Sequence, residues 1–255
     1  MCLIFISLNH HPRYKLILAG NRDEFYKRKT APAHFWEDYP NIVGGRDLEA
    51  NGTWLAMSTQ GKISMVTNYR DFKNLKPAAP SRGELVSAYL LNGDKPDDYL
   101  NTVAQKASAY NGFNLLVGYP DTLYYYSNYQ GTIQQLSEGV HGLSNHLLNT
   151  PWPKVERGKE KFSKAITNPE INPANLFELL YDEQRAADNE LPDTGIGLER
   201  ERVLSSMFIK SPDYGSRCST VILVDRNNRV WFAERVYDTG TFNYQDTAFE
   251  FTLPL

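Results

Sequence analysis

Hydrophobic positions along the chain fall into short continuous runs before any helical stripe appears. The first, CLIFISL (2–8), is apolar almost throughout, with β-branched and aromatic members, and reads as a buried strand. HHPRY (10–14) turns the chain, and YKLILAG (14–20) is a second such run. It leads straight into Asn21, Arg22, Asp23 and Glu24, so the pair predicts a hairpin with a polar tetrad at its far end. Gly44-Gly45 and Asn51-Gly52 read as turns before another strand, and GKISMVTNY (61–69) follows as the next.

Helical spacing begins at SRGELVSAYLLNG (81–93), where Ser81-x-x-Glu84 has the form of a capping box and Asn92-Gly93 a stop. KPDDYLNTVAQKASAYNG (95–112) carries Pro96 near its first turn. Strand patterns return in FNLLVGY (113–119), TLYYYSNY (122–129) and GTIQQLS (131–137). TPWPKVERGKEKFSKAI (150–166), NPANLFELLYDEQ (172–184) and ERERVLSSMF (199–208) read as helices, the first with Glu160 four residues before Lys164 on a solvated face. The chain closes with CSTVILVD, VWFAERVY and FEFTL as strands. Strands, helices, strands, helices, strands is not regular βαβ alternation. The order predicts an α+β fold, two mainly antiparallel sheets packed face to face with helices outside each, as one domain over residues 1–255.

Composition narrows the function classes. The 255 residues are 41% hydrophobic and 22% charged with a net charge of −3, an ordinary globular balance with no basic excess for nucleic acid. No run reaches the length of a membrane span. Cys2 and Cys218 are the two cysteines, which points to a reducing compartment and a cytoplasmic location. There is no dinucleotide fingerprint, P-loop, HExxH, CxxC or G-x-S-x-G elbow. His10, His11, His34, His141 and His146 have no metal-ligand spacing, so no metal site and no required cofactor is expected.

The candidate chemistry starts at Cys2. It is either a core cysteine of the first strand or, once Met1 is removed, a thiol beside a free α-amine of pKa about 7.7–8.0 that could take its proton. The tetrad is either a polar turn or a source of charge beside that thiol. Adjacent side chains of a strand point to opposite faces, so Arg22 and Asp23 both reach Cys2 only where the strand ends or bulges. Asn68 and Asn145 are turn residues or amide donors to an oxyanion. Arg217 is a surface ion-pair member or a clamp for carboxylate or phosphate.

Taken together, Cys2, NRDE (21–24), GTW (52–54), TNY (67–69), RGELV (82–86), NGFNL (111–115), GLSN (142–145), TPWPK (150–154), YGSR (214–217), TVILVD (220–225) and FAER (232–235) resemble the NRDE family, that of the transport and Golgi organisation protein 2. The resemblance runs the length of the chain. It implies the αββα sandwich of the N-terminal nucleophile hydrolases and a likeness to the cysteine choloylglycine hydrolases and penicillin V acylases. Carried over residue by residue, it implies catalytic roles for Cys2, Arg22, Asp23, Asn68, Asn145 and Arg217. The acylases separate the Arg and Asp that are adjacent here, so Glu24 is a candidate to share the role of Asp23. Asn21, Glu24 and Tyr69 are candidates to bind substrate.

The function expected from this resemblance is hydrolysis of a small or non-peptide linear amide by Cys2. The alternative is a carrier or chaperone for haem or another hydrophobic ligand such as a lipid, with Cys2, His10 and His11 as candidate axial ligands. A third reading is a binding scaffold without chemistry. The partners expected are a small-molecule amide or a hydrophobic ligand, without nucleic acid, and the oligomeric state is not legible.

Overall fold

The structure, a computed structural model, describes residues 2–254. The fate of Met1 therefore lies outside the described residues. One sheet has six strands: β1 (Cys2–Leu8) and β2 (Tyr14–Phe25) pair in its middle, flanked by β10 (Gly139–Leu143) on one side. On the other side follow β11 (Tyr214–Asp225), β12 (Arg229–Tyr237) and β13 (Tyr244–Thr252). The second sheet has seven strands in simple order, β3 (Thr30–Phe35), β4 (Ile42–Asp47), β5 (Leu55–Ser58), β6 (Ile63–Asn68), β7 (Phe113–Tyr119), β8 (Thr122–Ser127) and β9 (Ile133–Gln135). All the named pairings are antiparallel.

Three apolar clusters explain the layering. Ile4, Ile6, Leu16 and Leu18 of the first sheet pack against Val43, Leu55, Met57 and Met65 of the second. Leu3, Phe5, Ile17 and Ala19 point the other way, onto α3 (Pro153–Ala165) and α4 (Pro173–Leu180). The outer face of the second sheet, with Leu115 and Val117, is covered by α1 (Gly83–Leu91) and α2 (Pro96–Lys106). A short α5 (Leu198–Leu204) leads toward β11. The result is a four-layer αββα sandwich, and β1 reads as a continuous apolar run because both of its faces are buried.

Local signals were partly right. Pro96, Pro153 and Pro173 each sit in the first turn of a helix, where proline's missing N–H costs nothing. Glu160 and Lys164 form the expected pair at 2.6 Å. Two readings need correction. Gly44-Gly45 is not a turn but the middle of β4; a Cβ on Gly44 would stand 2.6 Å from the Ala56 Cβ, so glycine is required by strand packing. The Ser81 capping box does not form: Arg82 precedes α1 with helical angles, and Glu84 accepts from the Tyr110 hydroxyl instead. The chain patterns of β3 and β10 were too short or too polar to be read as strands.

Candidate functional site

The site is built on the end of β1. In the ladder with β2, Cys2 lies opposite Arg22, and in the ladder of β2 with β11, Arg22 lies opposite Cys218. Side chains directly opposite share a face, so Arg22 stands between two thiols on the face turned toward the second sheet. Asp23 follows Arg22 on β2 and points to the other face. Asp23 nonetheless acts on Cys2 electrostatically, and its backbone N–H is directed at the sulfur. Arg22 thus meets Cys2 by its side chain and Asp23 by its backbone N–H, which answers the alternation problem raised by these adjacent residues. A bulge between Ser216 and Cys218 lies opposite them on β11.

Cys2, Arg22, Asp23, Glu24, Asn68, Tyr69 and Arg217 all line one cleft of about 1130 Å³ between the two sheets' ends. Burial pushes the Cys2 thiol up to about 11, Asp23's charge adds to that, and Arg22 opposes it. Burial also holds the Asp23 carboxyl above its usual range, and its Oδ1 accepts from the Ser216 hydroxyl at 2.6 Å. Arg22 stands 3.7 Å from Asp47 and 3.9 Å from Glu24. Asn68 closes β6 at the cleft wall; its carbonyl is held by the Asn145 amide at 3.2 Å, while its own side-chain amide has no hydrogen bond among the described residues. Tyr69 donates to or accepts from His146 Nε2 at 2.8 Å and stacks on Tyr129 with centroids 3.9 Å apart. The Arg217 guanidinium donates to the carbonyls of Phe25 and Arg28, both at 3.0 Å, and so braces the chain that leaves β2.

Two expected residues are not brought to the cleft. Asn21 faces the helices, where its amide nitrogen donates to Leu180 O at 2.8 Å and Met207 O at 2.9 Å and its oxygen accepts from Ser219 at 2.6 Å. Asn145 is fully buried behind the wall, linked to Asn68, Ser144 and Arg70. His10 and His11 sit in the β1–β2 turn, at the opposite end of β1 from Cys2. His11 accepts two backbone N–H groups at Nδ1 and so donates from Nε2 to Asn168 O. Of the three candidate haem ligands, Cys2 alone lines the cleft, so the set does not fit axial ligation by a pair of protein residues.

Sequence reasoning gave no role to several residues here. Lys154 is 2% exposed, and burial brings its amine down to about 7. Arg70 is held by Glu201 at 2.8 Å, with both side chains nearly inaccessible. Arg82 lines the cleft and feels both Glu24 and Cys2. Glu234, on β12, is buried with its carboxyl raised by desolvation and is hydrogen-bonded to Cys218. Lys154, Arg82 and Glu234 lie within the TPWPK, RGELV and FAER segments, but a charged residue on a helix or strand reads as exposed without its tertiary neighbours. Among the described residues no group of three or more His, Cys, Asp and Glu is placed to hold a metal ion, and no helix is long and apolar enough to cross a membrane.

Residues 1–239 match the family described as Transport and Golgi organisation 2. The Transport and Golgi organization 2 homolog of Mus musculus is 37% identical over 276 residues, 99% of each chain. The Homo sapiens homolog matches at the same identity and coverage. The Drosophila melanogaster protein is 32% identical over 263 residues, 92% of this chain and 91% of its own. Among solved structures, a Caenorhabditis elegans ortholog of N-acylethanolamine-hydrolyzing acid amidase aligns with TM-score 0.48 and 8% identity, over 87% of this chain and 92% of that one. A mutant conjugated bile acid hydrolase from Clostridium perfringens aligns with TM-score 0.42 and 9% identity, over 99% of this chain and 90% of that one.

Proposed function

The chain belongs to the Transport and Golgi organisation 2 family, and from that premise we propose that it is a cysteine hydrolase of the N-terminal nucleophile kind, acting on a small or non-peptide linear amide. The observation that carries this reading is the position of Cys2 in the cleft, with the Asp23 N–H directed at its sulfur and Arg22 opposite it on the neighbouring strand. A thiol pushed up to about 11 is not a nucleophile unaided, so the site needs positive charge and a proton acceptor. Arg22 supplies the first. The α-amine of Cys2, after loss of Met1, supplies the second at a pKa of about 7.7–8.0.

In this mechanism the thiolate attacks the amide carbonyl, and the Asn68 side chain donates to the oxyanion that develops. The protonated amine passes its proton to the departing nitrogen, the C–N bond breaks, and water hydrolyses the thioester. Asn145 holds the Asn68 segment in place from behind. The test is to measure intact mass, then screen N-acyl amides with the wild type and Cys2→Ala. Turnover that disappears with Cys2, together with a thioester adduct on Cys2 in the wild type, supports the reading. Turnover that survives Cys2→Ala sinks it.

A second reading, a carrier of a hydrophobic ligand, is favoured by the cleft's volume, which is at the upper end of small-molecule sites. Trp54, Val66, Phe72 and Leu75 give its wall an apolar share. Titration with haem distinguishes this reading: a saturable Soret shift that Cys2→Ala leaves intact favours a carrier that uses the cleft without its thiol.

A further inference from the structure

Arg82 is a cation of the cleft that the chemistry above leaves unused. It stands just before α1, and it lines the same cleft as Cys2, with Ser81 and Gly83 beside it. Three of the segments singled out in the sequence meet at this arginine. From GTW, Gly52 lets two stretches of chain pass close together. A Cβ there would stand 2.5 Å from the Gly83 carbonyl carbon, and the Thr53 N–H donates to Gly83 O at 3.3 Å. From RGELV comes Arg82 itself. From NGFNL, the Gly112 carbonyl accepts from the Arg82 guanidinium at 3.1 Å and from the Tyr69 N–H at 3.0 Å. The arginine is thus held both through its neighbour's backbone and by its own side chain.

The other arginines that line the cleft are occupied or solvated. Arg28 pairs with Asp47 at 2.5 Å, Arg46 with Asp38 at 2.6 Å and Arg70 with Glu201 at 2.8 Å. Arg22 has Asp47 at 3.7 Å and Glu24 at 3.9 Å. Arg217 donates to Phe25 O, Arg28 O and Thr30 Oγ1, and Arg200 is exposed. Arg82 is half-buried, and among the described residues it forms no ion pair and one hydrogen bond, to Gly112. Its remaining N–H donors have no acceptor there. Glu24 attracts it from beyond ion-pair distance. A guanidinium stays charged in such a place, and removal from water favours an anionic partner for it. Its fork of donors fits a carboxylate or a phosphate. One guanidinium with Glu24 nearby suits the single charge of a carboxylate better than the double charge of a phosphate. Trp54, next to Thr53, gives the same cleft an apolar wall with Val66, Phe72 and Leu75.

We propose that Arg82 binds a substrate carboxylate, and that the substrate is an N-acyl amino acid. Its carboxylate takes the donors that Gly112 leaves, and its acyl group lies on the apolar wall. Water is added across the amide C–N bond, giving a carboxylic acid and a free amino acid. The proposal rests on the reading of the chain as an amide hydrolase and narrows its substrate class.

The test compares N-lauroylglycine with N-lauroylglycinamide, which has the same chain and a neutral end. Calorimetric titration of each is done in the Cys2→Ala background, where the cysteine cannot consume the probe. The acid is expected to bind about tenfold or more tighter than the glycinamide, the usual weight of a hydrogen-bonded charge pair. Arg82→Gln keeps a donor for the Gly112 carbonyl and removes the charge. It should erase the preference while leaving glycinamide affinity within about twofold. Arg82→Lys restores the charge without the fork and should recover part of the preference.

Equal affinity for the two probes, or binding of neither, overturns the proposal before any change at Arg82. A preference that persists in Arg82→Gln overturns it too. So does a loss of both probes alike in that variant, which assigns Arg82 a structural role. Failure of the hydrolase reading looks different: N-acyl amide turnover survives Cys2→Ala. Turnover that depends on Cys2, beside equal binding of the two probes, removes the substrate class and leaves the hydrolase standing.

Discussion

Cys2 and Arg22 face each other across adjacent antiparallel strands, Cα opposite Cα, with Cys218 opposite Arg22 on the far side. The guanidinium is thereby held beside a buried thiol by backbone register rather than by a flexible loop. The two cysteines stand two strand spacings apart, about 9–10 Å, which is beyond the reach of a disulfide.

Arg22→Met removes a charge that favours the Cys2 thiolate. Cys2-specific alkylation at neutral pH is expected to slow about tenfold, with Arg22→Lys intermediate, since an opposite charge at this range shifts a thiol by about one unit or more. Stopped-flow or mass-spectrometric rates check this, and an Arg22→Met rate equal to the wild type's contradicts it.

Asn68 and Asn145 should separate by phenotype. Asn68 lines the cleft with its amide uncommitted among the described residues, so Asn68→Ala should cut kcat by about 10²–10³ with little loss of stability. Asn145 is buried and tied to Asn68, Ser144 and Arg70, so Asn145→Ala should lower stability by about 1–3 kcal/mol. Kinetics and denaturant melts on both variants test the division.

Asn21 is a structural clamp between β2, the end of α4 and the segment before β11. Asn21→Leu strands the carbonyls of Leu180 and Met207 without their donor, at a cost of about 1–3 kcal/mol. The expected readout is a lower urea midpoint. An unchanged midpoint with lost ligand affinity would return Asn21 to the binding site.

Lys154→Met should stabilise the protein, and the gain should depend on pH. The folded amine sits at about 7 against an ordinary value of 10.5. Between those values the unfolded chain holds more protons, so this group's contribution to wild-type stability rises with pH across that window. Below about pH 7 folding carries the full cost of a buried ammonium, and the variant's advantage, on the order of 2 kcal/mol, should be greatest there. It should fade toward about pH 10. Melts of both proteins at several pH values decide the sign.

Gly158 lets α3 lie against the first sheet: a Cβ there would stand 2.0 Å from the Phe5 ring. Gly158→Ala should destabilise by about 1–3 kcal/mol through overpacking. Phe5→Leu in the same chain should recover part of the loss, a coupling that a double-mutant cycle measures.

The strong, continuous apolar runs were legible as strands because burial on both faces writes itself into composition, as in CLIFISL and CSTVILVD. Prolines at the starts of three helices were legible because the backbone of the first turn accepts them wherever the helix lies. Even the layering followed from element order. Gly44-Gly45 was not legible, since a pair of glycines signals a turn until the side chain of Ala56 on the neighbouring strand is known.

The site divides in the same way. The sequence by itself determined that Cys2 opens a strand and that Arg22 and Asp23, as neighbours, take opposite faces. Only the tertiary structure decided that Cys2 pairs with Arg22, so that the Arg22 side chain shares the thiol's face while the Asp23 backbone N–H is directed at the sulfur. It also decided which residues turn away. Asn21 serves two backbone carbonyls, and Lys154, in form an ordinary surface lysine, is buried, which brings its amine down to about 7. Local pattern records each residue's own preference, but burial and charge at a site are sums over neighbours distant in the chain, and those exist only after folding.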